Sequence, residues 1–168
     1  SIFFLWKGGM SFHGGLLGLI FSTFLFSKKH KINFLNSLDI ISVVVPIGLF
    51  FGRIANFINA ELYGRPSDLP WAVIFPTGGN IPRHPSQIYE AIVEGVILFL
   101  IMWFAFRKIN LKKFPGKIAA VFMIAYSSLR FCVEFFREPD FHIGFFFEYI
   151  TLGQMLCIPM FVVGLYFF

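Results

Sequence analysis

The sequence predicts an all-α, polytopic membrane protein, and three features of the 168-residue chain support this fold class. Hydrophobic residues make up 57% of the chain and charged residues only 14%, whereas a soluble domain contains about 25% charged residues. The apolar residues form five continuous runs, each close to the ~20 residues that a membrane-spanning helix needs. Most of the cations lie between these runs. We therefore expect a single integral membrane domain over residues 1–168 with five transmembrane helices.

The distribution of positive charge predicts the orientation of these helices. The predicted spans are residues 8–27, 38–59, 87–106, 118–137 and 149–168. The first and third loops are rich in cations and contain no Asp or Glu, with Lys28, Lys29 and Lys31 in one and Arg107, Lys108, Lys112, Lys113 and Lys117 in the other. Cytoplasmic loops of membrane proteins carry such an excess of Lys and Arg. These two loops should therefore be cytoplasmic, which puts the start of the chain outside and its end inside.

The longest predicted loop, residues 60–86, lies on the outer side in this orientation. Its prolines and glycines favour a non-helical course. Trp71 suits the headgroup layer, and residues 72–75 are apolar. We expect an ordered extracytoplasmic (periplasmic-side) segment, because these side chains can be buried only against the bundle or lipid.

Several charged and polar residues lie inside the predicted spans, where lipid makes them costly. At helical spacing they form one stripe on the second span, a pair at the start of the third and another stripe on the fourth. A structural ion pair or a helix cap would explain any one of them, and caps are an alternative for the pair on the third span. Convergence at one membrane depth favours a polar cavity. The residues concerned are Arg53, Asn56 and Asn59; Glu90 and Glu94; and Tyr126, Arg130 and Glu134, followed by Arg137.

The chemistry that suits such a cavity is phosphate binding. Two guanidinium groups, those of Arg53 and Arg130, would face it, and guanidinium binds phosphate oxygens bidentately without losing its proton. The nearest anion is a lipid phosphate. His13 follows a glycine-rich turn and can titrate near neutral pH, as a general base must. Cys132 and Cys157 lie in apolar runs without metal-binding spacing, and we expect both to be small core residues.

The second span and the loop after it carry a specific pattern. The segment GRIANFINAELYG, at Gly52–Gly64, matches every fixed position of the signature of the prolipoprotein diacylglyceryl transferase family, which the chain therefore resembles. Four further segments are similar to the same family in the same order. They are GMSFHGG (9–15), RHPSQIYE (83–90), YSSLRFCVEFFREPD (126–140) and LGQMLCIPM (152–160).

The resemblance implies a bacterial inner-membrane enzyme with its active-site side facing the periplasm. Members of this family have seven spans, so the five predicted here correspond to the last five, and we expect the chain to be N-terminally incomplete. They transfer the diacylglyceryl group of phosphatidylglycerol to the lipobox cysteine thiol of a prolipoprotein signal peptide. The implied partners are thus phosphatidylglycerol, the signal peptide and membrane lipid. No cofactor, metal or nucleic acid is implied.

The resemblance also implies roles for individual residues. Arg53 corresponds to the phosphatidylglycerol-binding arginine, Arg130 to a second essential arginine and His13 to a proposed base. Glu61 and Glu134 are expected to orient the arginines. The expected substrate-binding set comprises Arg53, Asn56, Asn59, Glu61, Gly64, Tyr126, Glu134 and Arg137.

A non-enzymatic membrane transporter or lipid-binding protein with a charged intramembrane pathway is the alternative. Many transporters contain repeated halves with helix breaks at matching positions. This chain has no such repeat, and its polar stripes end on the outer side, so the sequence favours an enzyme.

Overall fold

The computed structural model describes residues 12–138, 145–146 and 150–168, and this part of the chain is mostly helical. Helix α3 (Ser86–Glu90) continues through a π-helical segment, Ala91–Ile97, into α4 (Leu98–Lys108), so that Ser86–Lys108 is one unbroken rod. Strands β1 (Phe145–Phe146) and β2 (Ile150–Thr151) pair antiparallel just before the last helix. The helices are α1 (Phe12–His30), α2 (Phe34–Ile58), α3 (Ser86–Glu90), α4 (Leu98–Lys108), α5 (Lys117–Val133) and α6 (Leu152–Phe167).

The helical class predicted from the sequence is confirmed, and the membrane character is supported by two elements. Helix α2 and the rod Ser86–Lys108 are each long and apolar enough to cross a bilayer, whereas α6 is apolar but shorter. Many large apolar side chains on the helix surfaces are exposed, which a soluble monomer rarely tolerates over a wide area. Examples are Leu17, Phe21, Phe51, Phe104 and Tyr166.

The core lies where α2, α4 and α5 meet. Val43, Leu98, Met102 and Ile118 form a buried apolar cluster there, and α6 packs along α5 on the other side. Helix α5 ends at Val133, four residues before the predicted end of its span. Arg137 therefore lies beyond the helix, and the predicted continuation of the polar stripe to this residue is wrong.

The N-terminus of α5 is held by Asp39, a residue that the sequence analysis did not single out. Its carboxylate is fully buried on α2 and accepts hydrogen bonds from the backbone N–H groups of Gly116 and Ala119, both at 2.8 Å. Gly116 adopts a left-handed conformation, with φ of 85°. An anion at a helix N-terminus satisfies N–H groups that have no partner within the helix. Asp39 thus ties α2 to α5 at the end opposite the long loop.

Asp39→Asn should lower the stability of the folded protein. The amide keeps one acceptor but turns an NH₂ group towards a buried backbone N–H, so two donors face each other. A buried group left without its partner costs about 1–3 kcal/mol. We expect a lower Tm in detergent for Asp39→Asn and an unchanged Tm for Asp68→Asn, whose side chain is exposed. An equal Tm for both variants would mean that the Asp39 cap contributes nothing to stability.

Residues 60–86 form a hydrogen-bonded layer over one end of the helices. Val73 and Arg83 exchange two backbone hydrogen bonds of 3.0 Å, and Gly64 N–H donates to the carbonyl of His84 at 2.9 Å. Phe75 is buried, with its ring against those of Phe57 and Tyr63. The layer therefore has its own apolar anchor, which contacts Phe57 near the end of α2.

Candidate active site

Five charged side chains converge near the loop layer, and they come from α2, from the rod Ser86–Lys108 and from the end of α5. Arg53 comes from the last two turns of α2, Glu90 from the end of α3 and Glu94 from the π-helical segment. Arg130 lies on the last turn of α5, and Glu134 caps the end of that helix. We call these five residues the arginine–glutamate cluster. Arg53, Arg130 and Glu134 were predicted site residues; Glu90 and Glu94 are the members that join them.

Arg53 contacts both glutamates of the rod. Its Nε lies 2.8 Å from Glu90 Oε2, and its Nη2 lies 3.5 Å from Glu94 Oε2. Among the described residues, Nη1 of Arg53 has no hydrogen-bond or ion-pair partner. This guanidinium group is therefore held along one edge and retains donors on the other.

Arg130 is enclosed by three carboxylates. Its Nη1 lies 2.8 Å from Glu90 Oε2 and 3.0 Å from Glu94 Oε1, and its Nη2 pairs with Glu134. The other oxygen of Glu134 accepts a hydrogen bond from the Thr151 hydroxyl at 2.9 Å. Thr151 also forms the capping box that begins α6. The network thereby joins α2, the rod, α5 and the start of α6.

The cluster is strongly buried and formally anionic. Two guanidinium groups face three carboxylates, which gives a formal charge of −1. The exposed fraction of the side chain is 17% for Arg53 and 8% for Arg130, against 1% for Glu90 and 0% for Glu94. Burying charges costs free energy that only close pairing offsets. Arg53 is the most accessible member of the cluster, so a ligand approaching it would meet Arg53 first.

Local sequence features allow this close packing. At Gly95, in the π-helical segment, a Cβ atom would lie 2.7 Å from Phe50 Cβ, so only glycine lets α2 approach the glutamate-bearing segment. At Gly153, a Cβ atom would lie 2.7 Å from Glu134 Oε1. Short π-helical segments within α-helices are frequent at functional sites. Here the segment carries Glu94 and follows directly on Glu90.

The loop layer is attached to the chain that follows α5. Gly64 is buried and forms a bridge with Arg137, and a Cβ atom on Gly64 would lie 2.5 Å from the carbonyl oxygen of Phe136. The Arg65 guanidinium donates to the carbonyl of Arg137 at 2.9 Å. Gly64 and Arg137, both predicted site residues, are thus brought together where the loop layer meets the chain that follows α5.

The remaining predicted residues are placed as follows. Tyr126 is half-buried, stacks on Phe122 and interacts electrostatically with Glu94 and Arg130. Asn56 is half-buried on α2, and Asn59 is the exposed C-cap of that helix. His13 belongs to α1, but its side chain lies outside the described residues.

One expectation about a glutamate is wrong, and one alternative considered for two others is excluded. The Glu61 side chain is exposed and does not orient either arginine; its backbone carbonyl accepts a hydrogen bond from Gln87 at 2.7 Å. Glu90 and Glu94 do not cap a helix, since their carboxylates pair with arginines. The i,i+4 spacing of Glu90 and Glu94 was visible in the sequence, but their arginine partners belong to other helices.

The two cysteines differ in burial, and neither is part of the arginine–glutamate cluster. Cys157 is buried as predicted, whereas Cys132 is exposed, contrary to the expectation that both are core residues. Within residues 12–138, 145–146 and 150–168, no group of His, Cys, Asp and Glu side chains is arranged to hold a metal ion.

Comparison with known proteins gives consistent matches along the whole chain. The family model described as prolipoprotein diacylglyceryl transferase matches residues 1–168. A phosphatidylglycerol–prolipoprotein diacylglyceryl transferase of Nitratidesulfovibrio vulgaris is 50% identical over 99% of this chain and 62% of its own length. Proteins of the same name from Rhodospirillum rubrum and Rickettsia felis are 50% and 53% identical, over 98% and 96% of this chain and 60% and 62% of their own lengths. The chain thus spans about three-fifths of these relatives.

Proposed function

Because the chain belongs to the prolipoprotein diacylglyceryl transferase family, we propose that its protein transfers a diacylglyceryl group from phosphatidylglycerol to the lipobox cysteine of a prolipoprotein. The names of its relatives support both substrates. The single structural observation that carries the proposal is the arginine–glutamate cluster. It holds Arg53 as a partly accessible hydrogen-bond donor for a phosphate group. The comparisons favour this transferase over a membrane transporter or lipid-binding protein.

The proposed reaction is a displacement at the glycerol carbon that bears the phosphate ester. The cysteine sulfur forms a bond to this carbon, the carbon–oxygen bond breaks, and the electron pair leaves with glycerol phosphate. Donors fixed in a low-dielectric site stabilise charge that develops in the transition state. The Arg53 guanidinium would supply such donors to the leaving phosphate.

The thiol must lose its proton during this reaction. A free cysteine has a pKa of about 8.5, so a base near the thiol favours the reaction at neutral pH. We assign this role to His13, which belongs to the first helix. The proposed substrate-binding region is completed by Asn56, Asn59, Glu61, Gly64, Tyr126, Glu134 and Arg137. Gly64 and Arg137 act there through the loop layer.

The proposed setting is the bacterial inner membrane. We infer five transmembrane helices in this chain, with residues 60–86 and the arginine–glutamate cluster on the periplasmic side. The charge-rich loops after α1 and α4 would then face the cytoplasm, in accord with the positive-inside rule.

A transfer assay tests the proposal directly. The full-length product of the gene, purified in detergent, should attach a diacylglyceryl group to a lipobox peptide when phosphatidylglycerol is supplied, and should release glycerol phosphate in equal amount. Mass spectrometry of the peptide measures the product, and a peptide with serine in place of the lipobox cysteine is the control. Absence of modification with the cysteine peptide and phosphatidylglycerol would refute the proposed function.

A further inference from the structure

The two arginines of the cluster occupy different environments. Both Nη nitrogens of Arg130 are engaged by buried carboxylates, whereas Arg53 is more exposed and retains Nη1. The two guanidinium groups meet at a single atom, Glu90 Oε2, which lies 2.8 Å from Arg53 Nε and 2.8 Å from Arg130 Nη1. Glu94 makes a second bridge, with one oxygen towards each arginine.

We propose that Glu90 and Glu94 are positioning residues, which fix the guanidinium of Arg53 against the anchored Arg130 so that Arg53 alone contacts the lipid phosphate. This inference rests on the proposed function and refines it. The two arginines are then not equal donors to one phosphate, as their positions in the sequence suggested. Arg53 makes the contact, and Arg130 is the anchor.

Electrostatics favours Arg53 over Arg130 as the residue that contacts the phosphate. A phosphate bound at Arg130 would lie beside the three carboxylates that this guanidinium group contacts, and it would add further negative charge there. Like charges at close range in a buried site repel strongly. Arg53 contacts two carboxylates and is more exposed, and its Nη1 can donate while Nε and Nη2 stay on the glutamates.

Glu90 and Glu94 also determine the orientation of the Arg53 guanidinium group. A long arginine side chain has several rotatable bonds, and a donor accelerates a reaction only when it is aimed at the developing charge. Glu90 fixes the Nε edge of Arg53, and Glu94 lies within 3.5 Å of Nη2. Arg130 in turn holds both glutamates, so that they do not repel each other or leave the site.

The test compares Glu90→Gln and Glu94→Gln in the full-length protein, with phosphatidylglycerol varied and lipobox peptide saturating. A misaligned donor should lower kcat by about 10- to 100-fold. The KM for phosphatidylglycerol should stay the same or fall, because removing a negative charge leaves Arg53 free to attract the lipid. Asp68→Asn is the control, since the Asp68 side chain is exposed and lies outside the cluster, so this variant should keep both constants.

Arg130→Lys provides a second, independent readout that keeps the charge of the cluster. Under our proposal this variant keeps the KM for phosphatidylglycerol within about threefold and loses kcat, because the lysine holds the glutamates less exactly in place. A KM raised tenfold or more would mean that Arg130 itself binds the phosphate, and the proposal would fall.

The outcomes separate this inference from the proposed function. Unchanged kcat in folded Glu90→Gln and Glu94→Gln proteins, while the unaltered protein transfers the diacylglyceryl group, overturns the positioning role alone. No transfer by the unaltered protein refutes the function itself. If both glutamine variants fail to fold, the KM of Arg130→Lys decides the assignment of the phosphate contact.

Discussion

Arg53→Lys is expected to lower kcat/KM for diacylglyceryl transfer by about 100- to 1,000-fold, the effect of losing one preorganised donor to a developing oxyanion. Lysine keeps the charge but loses the planar fork. It cannot hold Glu90 and Glu94 along one edge while it donates to phosphate from the other. Because the charge persists, the ion pairs that stabilise the fold should largely persist as well.

The measurement is steady-state transfer to a lipobox peptide, at limiting and saturating phosphatidylglycerol, with Tm recorded for each protein. Arg107→Lys is the matched control, because Arg107 is exposed at the end of α4, over the ring of Trp103. A fall in kcat indicates a contact made in the transition state, and a rise in KM alone indicates uniform binding. Wild-type kinetics in Arg53→Lys would remove Arg53 from the mechanism.

Arg130→Gln is expected to destabilise the folded protein by about 3–5 kcal/mol, the usual cost of removing one partner of a buried ion pair. Glutamine leaves Glu90, Glu94 and Glu134 facing one remaining guanidinium group, that of Arg53. The hydrogen bond from Thr151 to Glu134 would then join the start of α6 to a carboxylate that has lost its cation. Helix α6 should therefore loosen from α5.

Thermal unfolding in detergent measures this effect, with Arg107→Gln as the control at an exposed site. Adding Glu134→Gln to Arg130→Gln removes one surplus negative charge and should restore part of the lost Tm. A Tm equal to that of the unaltered protein, combined with lost activity, would contradict the anchoring role and return Arg130 to direct phosphate contact.

Helical periodicity predicted which polar residues share one face of a helix. The stripe of Tyr126, Arg130 and Glu134 follows from this local property, and the structure places Tyr126 and Arg130 in the second half of α5 and Glu134 at its C-cap. The same spacing identified Glu90 and Glu94 as a pair but left their role open. Their partners, Arg53 and Arg130, are separated from them by about 40 residues along the chain.

Local periodicity fails where a helix ends or a loop turns back. The predicted stripe ran on to Arg137, but α5 stops at Val133, and Arg137 joins Gly64 in the loop layer. Glu61 matched the family pattern in sequence, yet its side chain is exposed, and its backbone carbonyl accepts a hydrogen bond from Gln87. Neither the end of α5 at Val133 nor the exposure of the Glu61 side chain follows from the residues within one helical turn.

The sequence by itself determined the helical class, the family and the charged positions inside apolar runs, because composition, motif and helical spacing depend only on the order of residues. Tertiary structure decided that two glutamates lie between two arginines and that Arg53 is the more accessible of the two arginines. It also decided that Asp39 caps α5, whose bonded N–H groups lie 77 and 80 residues further along the chain. These features depend on which helix faces meet. A buried charge must be closely paired to offset its desolvation cost, and most of the partners in this cluster come from other helices.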